Sequence, residues 1–76
     1  MISAAAKHRL VDPVDAFRLR AEARAYLFWI GDIDLHTAVD ELQLAAEGDG
    51  LVELLGQDEV QLIMARAFAP YGENAR

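Results

Sequence analysis

The sequence predicts an all-α protein, a compact bundle of three main helices plus one short helix. Three observations indicate this fold class. Apolar residues recur at spacings of three and four, no stretch alternates apolar and polar residues for long enough to indicate a strand, and β-branched residues are few. The chain has 76 residues, of which 54% are hydrophobic, so one small domain is all that fits.

The first helix is expected to begin after Asp12 and to continue to Ile30. Asp12 is a favoured N-cap type, and Pro13 suits the first helical position. Asp15 lies where the acid of a capping box belongs. Gly31 supplies the left-handed position that commonly follows a helix. The first helix is therefore long, at about 18 residues.

The second helix is predicted from about Leu35 to Glu47, capped by Asp32 or Asp34 and ended by the Gly48–Gly50 turn. Residues 51–55 form the short helix, which Gly56 stops.

The last helix begins at Gln57 or Asp58 and runs to about Ala69. Asp58 and Glu59 lie in its first turn, where the helix dipole favours acids. Pro70 is predicted to close this helix.

The resulting organisation is a flexible N-terminal tail (1–11), a single helical domain (12–71) and a C-terminal tail (72–76). The longest apolar run, residues 25–30, is far shorter than the ~20 residues of a membrane span. The first ten residues lack the apolar core of a secretory signal, and the chain has no cysteine. We therefore expect a cytoplasmic protein with no membrane partner.

The second and last helices each present one core-facing stripe. Leu44 in the second helix and Leu62 in the last helix point away from these stripes. The polar residues of the second helix are expected to face solvent. The second-helix stripe contains Leu35, Ala38, Val39, Leu42, Ala45 and Ala46, its solvent face includes His36, Asp40, Glu41, Gln43 and Glu47, and the last-helix stripe contains Val60, Ile63, Met64 and Ala67, with Phe68 at its margin.

The first helix differs because its apolar side chains divide into two groups. Two interpretations are open: other helices cover both groups, or one face stays open for a partner or a second copy. One group contains Val14, Phe17, Ala21, Ala25 and Phe28, and the other contains Leu19, Ala23, Tyr26, Leu27 and Ile30.

The charge distribution is uneven. The formal net charge is −6, and residues 31–59 contain nine acids and no Lys or Arg. Such a run is typical of a solvated surface, and it also suits electrostatic steering towards a basic partner. It opposes contact with phosphate backbones, so no direct nucleic-acid binding is expected.

Few residues of the chain could support catalysis or metal binding. The chain has one serine, Ser3, and one threonine, Thr37, which is adjacent to His36 and so cannot face it on a helix. His36 and Asp40 lie four residues apart, but two ligands do not make a structural metal site. We predict no enzyme activity, no cofactor and no metal.

Four segments carry a resemblance to a known family: DPVDAFRLRAEAR over 12–24, AVDELQ over 38–43, GQDEVQ over 56–61 and AFAPY over 67–71. Together they resemble short proteins of alphaproteobacterial mobile elements, and among these the QseM-type antiactivators of rhizobial integrative and conjugative elements. The resemblance implies a small helical protein that binds a LuxR-type quorum-sensing activator of the TraR kind, and a second activator of element excision. It implies repression of transfer by stoichiometric sequestration.

We therefore expect a non-catalytic antiactivator, a monomer or weak homodimer, whose partner is a transcriptional activator protein. The alternatives are an acidic DNA mimic that inhibits a phage-defence nuclease, a small helical DNA-binding accessory protein, or a structural subunit. The contact should centre on the C-terminal part of the first helix, where aromatic residues are concentrated, because Trp and Tyr dominate interface hot spots. The residues predicted to bind the partner are Tyr26, Phe28, Trp29, Asp40, Glu41 and Leu44.

Overall fold

Four helices, and no strand, make up residues 12–74, the part of the chain that the computed structural model describes. They are α1 (Pro13–Trp29), α2 (Leu35–Gly48), α3 (Leu51–Leu55) and α4 (Gln57–Asn74). The predicted all-α bundle of three main helices and one short helix is confirmed. The tail predicted over residues 1–11 lies outside the described residues.

The two ends of α1 follow the predicted capping chemistry. Asp12 accepts a hydrogen bond from the backbone N–H of Val14 at 3.0 Å. At the other end Gly31 has a φ of +84°, and its N–H donates to the carbonyl of Phe28 at 3.0 Å while that of Asp32 donates to Leu27 at 2.8 Å. These two bonds form a Schellman motif, which satisfies carbonyls that the helix leaves without partners.

The cap of α2 is Asp34, which decides between the two predicted candidates. Its Oδ1 accepts a hydrogen bond from the N–H of Thr37 at 2.8 Å. This bond lowers the pKa of Asp34 below its ordinary value of 3.8, because it stabilises the ionised carboxylate. Gly50 and Gly56, which flank α3, have φ values of +76° and +93°.

The prediction that Pro70 ends the last helix is wrong, because α4 continues through it to Asn74. Proline has a helical φ, but inside a helix it removes one hydrogen bond to the preceding turn and its ring crowds the carbonyl four residues earlier. Tyr71, the next residue, packs against the hydrophobic core. We attribute the continuation of the helix to this packing, which offsets the lost bond.

The core combines four alanines with six larger apolar side chains. α1 packs most extensively against α4, whereas α2 makes few contacts with α4. No polar or charged residue within 12–72 is buried. The core cluster consists of Phe17, Ala21, Ala25, Leu42, Ala46, Leu51, Val60, Ile63, Met64 and Ala67.

Three predictions about helix faces need correction. The interpretation in which helices cover both faces of α1 is wrong, because Leu19, Tyr26 and Ile30 are each more than half exposed. Leu35, predicted in the core, is 47% exposed because it lies at the N-terminal end of α2, where α4 stands away from it. Gln43, predicted to face solvent, is half-buried between α2 and α4.

Candidate protein-binding surface

An apolar groove lies between α2 and α4. Its volume is about 270 Å³. Leu35 and Val39 line it from α2, and Met64, Ala65 and Phe68 line it from α4 together with Gln61. We call this depression the groove.

The groove exists because the two helices meet closely at only one end. α2 and α4 run antiparallel, since Gln43 late in α2 hydrogen-bonds Gln57 at the start of α4. The two amides exchange reciprocal bonds of 2.9 Å each, which close this end. Farther along, Ala65 is too small to fill the space opposite Val39, so the space stays open.

Aromatic contacts between α1 and α4 lie next to the groove at Phe68. The rings of Phe28 and Phe68 lie 5.9 Å apart at 48°. Those of Trp29 and Tyr71 stack at 5.5 Å and 28°. Such pairs stabilise packing by about 0.5–1.5 kcal/mol beyond the apolar area that they bury. We call these four residues the aromatic end; it joins α1 to the C-terminal part of α4.

A second apolar surface follows the outer side of α1. Leu19, Ala23, Tyr26 and Ile30 are all exposed, at spacings of four, three and four residues. These spacings place the four side chains on one face of a helix. We call this stripe the outer face of α1, and no other element within residues 12–74 buries it.

Acidic side chains surround these surfaces. All nine acids of residues 31–59 are exposed. Glu41 lies near Arg24 of α1, with Oε1 at 3.0 Å from Nε in a charge contact that lacks hydrogen-bond geometry. On α1, Arg18 lies between Asp15 at 3.2 Å and Glu22 at 3.4 Å, and the hydrogen bond to Asp15 is the main cause of its raised pKa. Arg18 and Arg24 of α1 thus pair with acids, and most of the α2–α4 acids face solvent.

The structure brings some of the predicted binding residues together. Phe28 and Trp29 share the aromatic end, where Trp29 is 45% exposed. Tyr26 points outward on the outer face of α1. Asp40 lies beside the groove residue Val39, with one carboxylate oxygen 3.2 Å from the imidazole of His36.

The other two predicted residues lie elsewhere on α2. Glu41 turns towards Arg24 on the α1 side of the helix. Leu44 is 67% exposed, and its helical position is opposite to that of the core residues Leu42 and Ala46. The six residues therefore occupy at least three separate surfaces.

The described residues show no arrangement typical of a metal centre. Within 12–74, no three His, Cys, Asp or Glu side chains come close enough together to hold a metal ion. The His36–Asp40 pair is fully at the surface. No helix in this part of the chain combines the length and hydrophobicity of a bilayer span.

The comparisons with known proteins leave the family unassigned. No family model, curated protein or solved structure matches the chain.

Sequence reasoning missed the groove, although four of its six lining residues were assigned to helix faces. Leu35, Val39 and Met64 fall on the predicted core stripes, and periodicity does not indicate whether another helix reaches them. Ala65 and Gln61 gave no signal, because neither falls on the predicted α4 stripe. Identifying the groove requires the separation of two helices, which depends on tertiary packing.

Proposed function

We propose that the chain is a small non-catalytic antiactivator that binds a transcriptional activator and sequesters it. The target is a LuxR-type quorum-sensing regulator of the TraR kind, and an activator of element excision is a second target. Binding keeps the activator from its promoter and thereby represses conjugative transfer of a mobile element. The protein acts in the cytoplasm as a monomer or weak homodimer.

One observation carries this proposal: Leu19, Tyr26 and Ile30 form an exposed apolar stripe on α1, and an apolar groove lies open between α2 and α4. Single exposed leucines are normal at a protein surface, whereas a stripe or groove of them marks an interaction site. Within residues 12–74, the large hydrophobic residues at least 40% exposed are Leu19, Tyr26, Trp29, Ile30, Leu35, Leu44, Leu54 and Leu62.

The charge supports a protein partner over a nucleic acid. The exposed acids of residues 31–59 repel phosphate, and they attract the basic surfaces of DNA-binding regulators. Asp40 and Glu41 belong to this acidic surface, and Glu41 already offsets its charge with Arg24.

The proposal is tested by titrating the purified chain against the LuxR-type activator of its host. We expect a stoichiometric complex on size-exclusion chromatography with light scattering. We also expect a dose-dependent fall in activator-driven reporter transcription. Absence of a complex with any such activator of the host contradicts the proposal.

Trp29 provides the first variant. Trp29→Ala removes a half-exposed aromatic side chain at the proposed contact, so complex formation should be lost while helicity by circular dichroism stays largely intact. Leu54→Ala, which removes an exposed side chain on α3, is the control and should bind normally. Unfolding of the Trp29 variant would identify this residue as a structural part of the aromatic end.

A combined charge variant separates sequestration from DNA mimicry. Asp40→Asn with Glu41→Gln and Glu47→Gln should slow association with the activator and leave most of the affinity. If these changes abolish activity and Trp29→Ala does not, the acidic surface is the functional site, and a nuclease inhibitor becomes the better account.

A further inference from the structure

We propose that the groove between α2 and α4 receives an amphipathic helix of the partner, whose apolar face is flanked by lysine or arginine. The helix is taken to belong to the sequestered activator, so this assignment rests on the proposed function.

The shape of the groove suits a helix. Its two walls are antiparallel helices, and its lining is apolar apart from Gln61. From Leu35 to the closing amide of Gln43 is eight residues, or about 12 Å, which is roughly two helical turns. A helix laid along such a groove inserts side chains at positions i, i+3 or i+4, and i+7.

The lining can adapt to an inserted side chain. Met64 forms the buried floor and has the flexible thioether that fills irregular spaces. Ala65 leaves room where a larger residue would close the groove. The volume, about 270 Å³, lies just below the ~300 Å³ at which small-molecule pockets begin, and it is open along its length, which favours anchors from a larger partner.

The margins of the groove carry negative charge. Asp40 follows Val39 on α2, and Asp58 precedes Gln61 by about one turn of α4; both are exposed. Glu47 accepts a hydrogen bond of 3.0 Å from Gln43 at the closed end. Because Arg66 is the one Lys or Arg between Gly31 and Asn74, an occupant with basic margins is complementary and an acidic one is repelled.

Two synthetic peptides of about 15 residues test this occupant directly. Both carry leucines at i, i+4 and i+7; one has lysines and the other glutamates at the flanking positions. Fluorescence anisotropy measures binding to the full chain at about 0.05 M and 0.5 M salt. The basic peptide should bind at least about tenfold more tightly than the acidic one at low salt, and this preference should shrink at high salt.

Matched variants locate the site. Ala65→Arg fills the groove and repels the basic peptide, and it should weaken binding at least about tenfold. Ala23→Arg places the same charge on the exposed outer face of α1 and should change binding less than about twofold. Circular dichroism confirms the fold of both variants, whose substituted positions are exposed.

Other results would overturn the assignment. Equal binding of both peptides, or unchanged binding to the Ala65→Arg variant, rules out a basic helix in the groove. If the chain self-associates, Ala65→Arg abolishes that association and neither peptide binds, the occupant of the groove is a second copy of the chain. If the basic peptide binds only after Lys7→Glu and Arg9→Glu are introduced, the occupant of the groove is the N-terminal segment of the chain itself.

The same variants separate this inference from the proposed function. If Ala23→Arg prevents the activator complex and Ala65→Arg does not, the antiactivator stands and the groove is not its contact. If the basic peptide binds as expected and no activator is bound, the groove stands and the proposed function fails.

Discussion

Two alanines on α4 show how the same residue type has opposite consequences. Ala67 is 8% exposed and packs in the core. Ala65, two residues earlier, faces the groove and is exposed. A small side chain allows close approach when the facing helix is near, and it leaves a groove when the facing helix stands away. The function proposed for this chain depends on that difference.

The largest expected effect on stability comes from a change in the close-packed core. Phe17→Ala removes the large α1 side chain buried in the core cluster, which should lower the free energy of unfolding by about 3–5 kcal/mol. Urea denaturation monitored by circular dichroism measures this change. A loss below about 1 kcal/mol would mean that Phe17 is not tightly packed, and this would contradict the close packing described for the core side of α4.

The two alanines themselves give the sharpest comparison. Ala67→Leu overpacks the core and should destabilise the fold by about 1–3 kcal/mol. Ala65→Leu extends into open space and should change stability by less than about 0.5 kcal/mol. Thermal and urea unfolding of the pair should be measured side by side. Equal destabilisation would show that the groove is closed in solution.

A substitution at Gly31 tests the turn that connects α1 to α2. Its φ of +84° is left-handed, and no atom lies within 4 Å of an added Cβ. Gly31→Ala should therefore cost about 1–2 kcal/mol through the backbone alone. Gly48→Ala, at a helical glycine that also has open space around it, is the control and should not destabilise.

The smallest effect is a pH dependence at the start of α2. Because the pKa of Asp34 is lowered below 3.8 in the folded state, its contribution to stability is present above that pH and is lost as the pH falls through the folded-state value. Asp34→Ala should therefore be less stable than the wild type at pH 7, and the difference should shrink below pH 3.8. Asp32→Ala serves as the comparison, and the same pH dependence there would contradict the assigned cap.

The features that sequence predicted well depend on local chemistry. Asp12, Gly31 and Gly56 act on their own backbone neighbourhood, and the structure has helix ends where these residues predict them. Pro70 failed as a stop signal because Tyr71 contributes to the core after it. The burial of such a residue depends on another helix, which a propensity rule does not include.

The candidate surface was predicted in part, for the same reason. The apolar groups on two sides of α1 left open whether one face lacks a partner, and Tyr26 and Trp29 do reach the surface. The groove residues Leu35 and Val39 looked like core because periodicity records which side of a helix is apolar. It does not record whether α4 stands close enough to bury that side.

The most direct test of the central claim is calorimetric titration of the host's LuxR-type activator with the wild-type chain and with the Ala65→Arg and Leu54→Arg variants. The account predicts a stoichiometric complex for the wild type and for Leu54→Arg, at an exposed position on α3, and a loss of affinity of at least about tenfold for Ala65→Arg. Equal affinity of all three proteins would contradict the groove as the contact. Absence of binding by the wild type would contradict the antiactivator itself.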